Sequence, residues 1–452
     1  MTNVRLPVFD RRRAGVLLPL FALEAPLGRG GRAFVDWLAE AGFSVWQMLP
    51  LGPVGPDGSP YWVRSDFAGN PAFLDPAELP APTEPLAPEF LEDSASWLPD
   101  YALFEALTRA TGGEPFWRWP APLASRAPEA LESARRELAP ELARIEREQY
   151  AFEQQWRRLR EHARARGVRL FGDLPFYVAP SSVDTWAHRG WFQLAPSGEP
   201  AATAGVPPDY FSEGGQLWGN PLYDWQALRH EDFGFWRARV RAQLARFDLL
   251  RLDHFRALAE HWAVPAGAPD ARGGSWVPTP GAELLRRLLE EFPDLPLVAE
   301  DLGVITEDVL ALRNGFGLPG MHVLQFAFDG NPHNPHLPYL HERNSIVYTG
   351  THDNDTTLGW YRGLDPESAQ RVDFYLGSGR AAMPEALTRA ALSSVARLAI
   401  VPLQDLLGLP SEARINTPST VTGNWSWRVP PGALGAQLAA HGAALNRAFG
   451  RG

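Results

Sequence analysis

The chain has 452 residues, of which 45% are hydrophobic and 21% are charged, as in an ordinary soluble globular protein. Its formal net charge of −11 argues against nucleic acid or an anionic membrane surface as the main partner. It contains no cysteine, which excludes disulfides, thiol nucleophiles and cysteine-ligated metals.

The first apolar run, residues 14–23, follows three arginines and resembles a signal peptide. However, Pro19 interrupts the run, Glu24 follows it, and no cleavage pattern of small residues stands out. No uninterrupted apolar stretch is long enough to cross a bilayer. We therefore expect residues 14–20 to form a strand and the protein to be cytoplasmic, without a membrane partner.

Eight apolar runs have the length and composition of buried strands, and helical patterns lie between most of them. The predicted strands cover residues 14–20, 44–51, 168–176, the first half of 247–256, 296–303, 321–328, 344–355 and 397–407. The predicted helices cover residues 31–42, a helical region at about 101–166, and then 231–247, 281–292, 305–317 and 381–395.

Strands that alternate with helices predict an α/β protein with a parallel sheet. Eight such strands indicate a (β/α)8 TIM barrel, and an open doubly wound sheet is the alternative. No glycine-rich phosphate loop follows the first strand, which disfavours dinucleotide binding. We expect one catalytic barrel over residues 14–452. It would carry an irregular insertion at 52–99, a helical one at 100–167 and a lid and loop insertion at 177–230.

Acidic side chains follow four of the predicted strands. Asp173 ends the third strand, Asp253 the fourth, Glu300 the fifth and Asp353 the seventh. In a barrel, the carboxyl ends of the strands form the face at which active sites lie. Because unpaired buried carboxylates are costly, four of them at one face indicate a function.

Two interpretations of this acidic cluster remain open from the residues alone, namely a metal site and glycoside chemistry. His254 and His352 are available as metal ligands, but no HExxH or paired-histidine spacing accompanies them. The chain also has 17 tryptophans, and aromatic side chains stack well on the flat apolar faces of sugars. The composition therefore favours a sugar substrate.

The segment FDLLRLDHFR, residues 247–256, places Arg251 two residues before Asp253, so that the two would share one face of a strand. The guanidinium would then stabilise the ionised carboxylate. A structural ion pair at the strand end is the alternative interpretation.

Four segments, GDLPFYV, LLRLDHFRA, VAEDLG and YTGTHDNDT, resemble in order the four signature regions of the α-amylase clan. In detail they resemble the 4-α-glucanotransferases of glycoside hydrolase family 77, also called amylomaltases or disproportionating enzymes. The segments SPYWVRSDFAGNP, GVPPDYFSEGGQLWGNPLYDW and LGLPSEARINTPSTVTGNWSWR resemble that family as well. The resemblance runs over residues 14–428.

This resemblance implies retaining transfer of α-1,4-glucan segments between maltooligosaccharides through a covalent glucosyl-enzyme. Glucose would serve as an acceptor, and no cofactor or metal would be needed. The expected setting is cytoplasmic starch or glycogen metabolism. An α-glucan hydrolase of the same clan and a non-catalytic glucan-binding relative are the alternatives. The lid motif argues against the first, and the presence of all three acids argues against the second.

The matching positions imply that Asp253 is the nucleophile, Glu300 the general acid/base and Asp353 the third acid, which holds sugar hydroxyls as the ring distorts. Because an apolar strand precedes Glu300 and other acids neighbour it, its pKa should be raised. The resemblance also implies glucan contacts from Tyr61, Asp173, Asp209, Tyr210, Phe211, Gln216, Trp218, Arg251, His352, Asn416 and Asn424.

Overall fold

The computed structural model describes residues 7–81, 83–208, 213–379, 382–420 and 422–452. The strands in this part of the chain are β1 (Arg13–Leu17), β2 (Val45–Gln47), β3 (Arg169–Leu174), β4 (Ala202–Val206), β5 (Gln216–Pro221), β6 (Leu249–Leu252), β7 (Glu260–Pro265), β8 (Ser275–Pro278), β9 (Leu297–Ala299), β10 (Gly320–Val323), β11 (Ser345–Tyr348) and β12 (Leu398–Pro402).

The helices in the same part are α1 (Arg29–Glu40), α2 (Pro88–Ser94), α3 (Leu98–Ala110), α4 (Ala121–Ala124), α5 (Pro128–Glu137), α6 (Ala139–Ala165), α7 (Val183–Ala187), α8 (Trp225–His230), α9 (Gly234–Arg246), α10 (Gly281–Glu291), α11 (Glu307–Gly315), α12 (Thr357–Gly363), α13 (Pro366–Leu376), α14 (Glu385–Ser393), α15 (Leu403–Leu406) and α16 (Ala436–Ala448). None of these described helices combines the length and the apolar character that a membrane span requires.

Eight of the strands form one parallel sheet in the order β10-β11-β12-β1-β2-β3-β6-β9. Its two edges meet where the Ala299 N–H of β9 donates to the Pro319 carbonyl, just before β10, at 2.9 Å. The sheet therefore closes into the predicted (β/α)8 barrel, and the alternative of an open doubly wound sheet is wrong.

One cluster of buried apolar side chains fills the inside of this barrel, as is usual for the fold. It receives side chains from every barrel strand, among them Leu17, Val45, Phe171, Leu249, Val298, Met321, Ile346 and Leu398. A second and larger cluster lies between the strands and the surrounding helices. The strands are thus buried on both faces, which explains their continuous apolar runs.

The barrel strands are shorter than the apolar runs that predicted them. β2 ends at Gln47, although the predicted strand continues to residue 51. Pro50 has no N–H to donate to a neighbouring strand, so the chain leaves the sheet there. Residues 403–406 of the eighth predicted strand form α15 instead, directly after Pro402. Burial alone does not distinguish a short buried helix from a strand.

A second, antiparallel sheet in the order β5-β4-β7-β8 was not predicted. Its strands are short, and β4 pairs with β7 across α8, α9 and β6, which separate them in the chain. A pairing of this kind leaves no local pattern in the sequence. The sheet matters for the site because β5 carries Gln216 and Trp218.

The predicted helical region contains α3 to α6 and has its own apolar cluster, which includes Tyr101, Phe104, Trp119 and Trp186. The boundaries given above for the three insertions stay a prediction. A loop after β2, residues 48–70 and here called the β2 loop, runs from the barrel towards this helical region and carries Tyr61.

Candidate active site

The acids that follow the barrel strands lie on the same face as the side chains that point into the barrel. Phe171 and Leu249 belong to the interior cluster, so Asp173 and Arg251, two residues later, face the same interior. Asp173 and Arg251 are also direct partners in the register of β3 and β6. By the same alternation Glu300, two residues after Val298, faces the carboxyl end of the barrel.

Arg251 joins two carboxylates at this end of the barrel. Its Nη1 donates to both oxygens of Asp173 at 2.8 and 2.6 Å, and its Nη2 donates to Asp253 Oδ1 at 2.7 Å. The side chains of Arg251 and Asp173 are 6% and 0% exposed, whereas that of Asp253 is 27% exposed. Asp253 is therefore the carboxylate of this set that a bound molecule can reach.

Glu300 is held by backbone N–H groups. His254 donates to its Oε2 at 2.7 Å, and Leu302 donates to its Oε1 at 3.1 Å. Burial raises the pKa of Glu300 to about 8, while the charge of Arg251 opposes this shift and that of Asp253 adds to it. Because His254 directly follows Asp253, its hydrogen bond joins the end of β6 to the Glu300 carboxyl group, which feels the charge of Asp253.

His254 has a left-handed backbone, with a φ of 48°. Such a conformation is uncommon outside glycine and often marks a functional site. In this position the residue turns the chain out of β6, and it supplies the N–H that Glu300 accepts. The left-handed turn therefore links the end of β6 to the end of β9.

Tyr61 from the β2 loop reaches the same group of side chains. Its hydroxyl donates to Asp173 Oδ2 at 2.8 Å, and its ring stacks on His352 with centroids 5.3 Å apart and planes at 17°. The Trp425 ring lies 6.2 Å from the ring of Tyr61 and 6.1 Å from that of His352. Three distant parts of the chain thus form one aromatic wall beside Asp173.

Asp353 is fixed by neighbours from the C-terminal part of the chain. Its Oδ1 accepts from Asn416 Nδ2 at 2.6 Å, and Arg414 donates to its backbone carbonyl at 2.6 Å. The same Oδ1 lies 3.3 Å from His352 Nε2. Burial lowers the pKa of His352 and so favours its neutral imidazole, while the charge of Asp353 opposes this shift.

The second sheet brings Trp218 to the nucleophile candidate. The Trp218 ring packs edge-on against the ring of His254, with centroids 4.7 Å apart, and its Nε1 donates to Gln216 Oε1 at 3.1 Å. Asn424, in contrast, uses its side chain within its own loop, where it accepts from the Thr417 N–H at 2.9 Å. The predicted contacts Asp209, Tyr210 and Phe211 lie outside the described residues.

Two aromatic residues at this end of the barrel were not predicted from the sequence. Trp425 belongs to the aromatic wall, and Phe326 lies in the turn after β10 with 43% of its surface exposed. The segment GNWSWR contains Trp425 and could have indicated it, but only the neighbouring Asn424 was among the predicted contacts. Phe326 falls inside the predicted strand 321–328, so the sequence held no signal for it; the observed strand ends at Val323.

A group of acids at the carboxyl end of a (β/α)8 barrel defines the class of the protein, a barrel enzyme. The family model of the 4-alpha-glucanotransferases matches residues 18–88 and 82–434. The chain therefore belongs to the 4-alpha-glucanotransferase family, whose members are transferases, and the resemblance stated from the sequence is confirmed.

Similar proteins cover the chain almost completely. The 4-alpha-glucanotransferase of Thermus thermophilus is 45% identical over 96% of this chain and 97% of its own. That of Synechocystis is 42% identical over 98% of this chain and 99% of its own. The amylomaltase of Streptococcus agalactiae, solved in complex with acarbose, has a TM-score of 0.92 at 31% identity and covers 98% of this chain and 100% of that one.

Proposed function

We propose that Asp253 and Glu300 transfer α-1,4-glucan segments by a retaining double displacement. The observation that carries this proposal is the His254 N–H···Glu300 bond of 2.7 Å, which sets a carboxyl group with a pKa of about 8 beside the arginine-paired Asp253. Retaining enzymes need such a pair, a carboxylate to attack and a carboxylic acid to protonate the leaving group.

In the first step, a carboxylate oxygen of Asp253 attacks the anomeric carbon of the donor glucose. Glu300 gives its proton to the departing glycosidic oxygen, so the leaving glucan becomes a free alcohol. In the second step, the acceptor hydroxyl loses its proton to Glu300 and displaces Asp253 from the anomeric carbon. Each step inverts the configuration, and the product keeps that of the donor.

Two further residues are proposed to hold the sugar at the reacting carbon, and two more to support them. Asp353 and His352 would take ring hydroxyls, since they lie together and are fixed by Asn416 and by the ring of Tyr61. The side chain of Asp173 is 0% exposed, so it would act indirectly, by orienting Arg251 and the Tyr61 hydroxyl that bind its carboxylate. Substrate held in this way needs no further ordering at the moment of reaction.

We extend the proposal to maltooligosaccharides as donors and to glucose as an acceptor, in cytoplasmic starch or glycogen metabolism. The support for the substrate class is the acarbose bound to the similar amylomaltase of Streptococcus agalactiae. The support for the location is the cysteine-free composition, which allows no disulfides and is compatible with a reducing compartment. Cell fractionation with an antibody against the chain tests the location.

Incubation with maltotriose alone tests the proposed function, with the products separated by size. Glucose together with longer maltooligosaccharides is the expected result, since one maltotriose then serves as donor and another as acceptor. Glucose and maltose only would indicate the hydrolase alternative. No change at all would indicate a glucan-binding protein and contradict the proposed catalysis.

Trp218 is proposed to hold the acceptor beside Asp253, because its ring contacts His254. Trp218→Ala should remove a stacking interaction that contributes about 0.5–1.5 kcal/mol. Transfer should fall by up to about tenfold, while water, which does not stack, keeps its access. The measurement is the ratio of new reducing ends to transferred glucose at fixed maltotriose concentration, and we expect that ratio to rise.

The matched control for this prediction is Trp218→Phe, which keeps an aromatic face at the same position. It should restore most of the wild-type ratio. If the alanine variant lowers hydrolysis and transfer equally, Trp218 supports the structure and does not select the acceptor.

A further inference from the structure

Arg239, on α9, is buried outside the barrel interior and is not part of the site described above. Its side chain is 0% exposed. Nη2 donates to the Pro175 carbonyl at 2.7 Å, and Nη1 donates to the Phe176 carbonyl at 3.2 Å. Nη1 also donates to the Tyr223 hydroxyl at 2.9 Å. The guanidinium thus binds two carbonyls of the chain that has just left Asp173 and one side chain beyond β5.

The remaining partner of Arg239 is Asp66 in the β2 loop. Arg239 Nη2 donates to Asp66 Oδ1 at 3.2 Å, and Arg239 Nε lies 2.9 Å from Asp66 Oδ2. The Asp66 side chain is 2% exposed, so this is a buried ion pair. The planar guanidinium can serve all four partners at once because its five N–H donors point in fixed directions.

Two more residues on the same face of α9 bind the β2 loop. Gln243 Nε2 donates to the Asp66 carbonyl at 2.9 Å, and Arg246 Nη2 donates to the Phe67 carbonyl at 2.6 Å. Residues spaced by three and four positions share one face of a helix. α9 then leads into β6, which carries Arg251 and is followed by Asp253. The helix before the nucleophile candidate therefore holds the loop that carries Tyr61.

Each segment that Arg239 binds carries a residue with a proposed role. Pro175 lies two residues after Asp173, and Asp66 lies five residues after Tyr61. These two residues meet in the 2.8 Å bond from the Tyr61 hydroxyl to Asp173. We propose that the Arg239–Asp66 pair positions Tyr61 against Asp173, an inference that rests on the proposed roles of those two residues.

A buried ion pair often adds little stability compared with apolar residues of the same shape, whereas the loss of one partner is costly. The pair therefore contributes orientation more than net stability. Asp184 accepts from the Asp66 N–H at 3.2 Å, so it places a second carboxyl group close to Arg239. Burial raises the pKa of Asp184, and the charge of Arg239 opposes that shift. Asp66→Asn thus leaves the Asp184 carboxyl group near the guanidinium, and we expect the variant to fold.

The β2 loop also offers a matched control. Arg64 Nε lies 2.8 Å from Glu105 Oε1, and the Glu105 side chain is 2% exposed. The Arg64 side chain is 28% exposed, so this pair is half-buried; it ties the same loop to α3, which carries no residue with a proposed role. Glu105→Gln therefore perturbs the loop through an equally buried carboxylate, but one that belongs to α3 and not to the contacts with α9.

The test compares Asp66→Asn with Glu105→Gln, two nearly isosteric changes, by kcat and KM on maltotriose and by melting temperature. Because misplacement by about 1 Å costs about 100-fold in rate, we expect Asp66→Asn to lower kcat about 10- to 100-fold. Glu105→Gln should lower the melting temperature but leave kcat close to wild type. Equal losses of kcat in the two variants, or an unchanged kcat in Asp66→Asn, would overturn the proposal.

Gln243→Ala serves if Asp66→Asn does not fold, because it removes only the bond to the Asp66 carbonyl. Its kcat should also fall, by a smaller factor, and an unchanged kcat would overturn the proposal. A double-mutant cycle of Asp66→Asn with Tyr61→Phe tests whether the loss of kcat is transmitted through Tyr61. If Asp66 acts through Tyr61, the double variant loses less than the product of the two single losses, and fully multiplicative losses contradict that route.

The same experiments separate this proposal from the proposed function. A wild-type protein that fails to transfer glucose between maltotriose molecules contradicts the function. A wild-type protein that transfers, with a kcat that does not respond to Asp66→Asn or Gln243→Ala, contradicts only the positioning by Arg239 and Asp66.

Discussion

Replacing Asp253 by asparagine is expected to lower kcat for glucan transfer by at least about 10⁴-fold, because loss of a covalent nucleophile removes the whole two-step route. Glucan affinity should change little, since asparagine has nearly the same shape and keeps an oxygen for the Arg251 Nη2–H. The measurements are initial rates with maltotriose and binding of a non-reacting glucan analogue by calorimetry.

Asp301→Asn is the control for this variant. Asp301 also follows β9, but its carboxylate accepts from Arg313 and from the Met321 N–H, at 2.5 and 2.8 Å, and is 5% exposed. Its replacement should destabilise the fold while transfer per folded molecule stays near that of the wild type. Substantial residual transfer in Asp253→Asn, or an equal loss of transfer in Asp301→Asn, would contradict the assignment of Asp253 as nucleophile.

Glu300→Gln is expected to lower transfer from maltooligosaccharides by about 10²- to 10⁴-fold, the usual contribution of a general acid/base. The first step with a glucosyl fluoride should be spared, because fluoride leaves without a proton. Single-turnover release of fluoride measures that step separately from the second one. If both kinds of donor fail equally, Glu300 is not the acid.

The raised pKa of Glu300 predicts a specific pH dependence if this residue is the general acid. Glu300 must be protonated to act in the first step, and its pKa is raised to about 8 by burial. The rate of that step with maltooligosaccharide donors should therefore be full below this pH and fall as pH rises through about 8. Glucosyl fluoride should lack this fall, and the same basic limb with both donors would contradict the role.

The barrel and its acids could be predicted from the sequence because both follow local rules. A buried strand leaves an apolar run, and a side chain two residues further along keeps the same face, so Arg251 and Asp253 were recognisable as a pair. The partnership of Arg251 with Asp173 was not recognisable, because it depends on the register between β3 and β6.

Other parts of the site depend on contacts between residues far apart in the chain. Trp218 reaches His254 through a sheet whose strands are separated by helices and by β6. Trp425 belongs to the aromatic wall but lies in an irregular segment. Its backbone φ is 60°, a conformation that no sequence pattern predicts. Arg239 and Asp66 are 173 positions apart, and each would be expected at the surface if judged from its neighbours alone.

The most direct test of the central claim is the mass of a trapped intermediate. Glu300→Gln treated with a glucosyl fluoride should accumulate protein heavier by one glucosyl residue, because its second step lacks the base that activates the acceptor. After proteolysis, the added mass should lie on the peptide that contains Asp253, and it should be absent when Asp253→Asn is combined with Glu300→Gln. Fluoride release without any adduct, or an adduct on another residue, would contradict a covalent glucosyl-enzyme at Asp253.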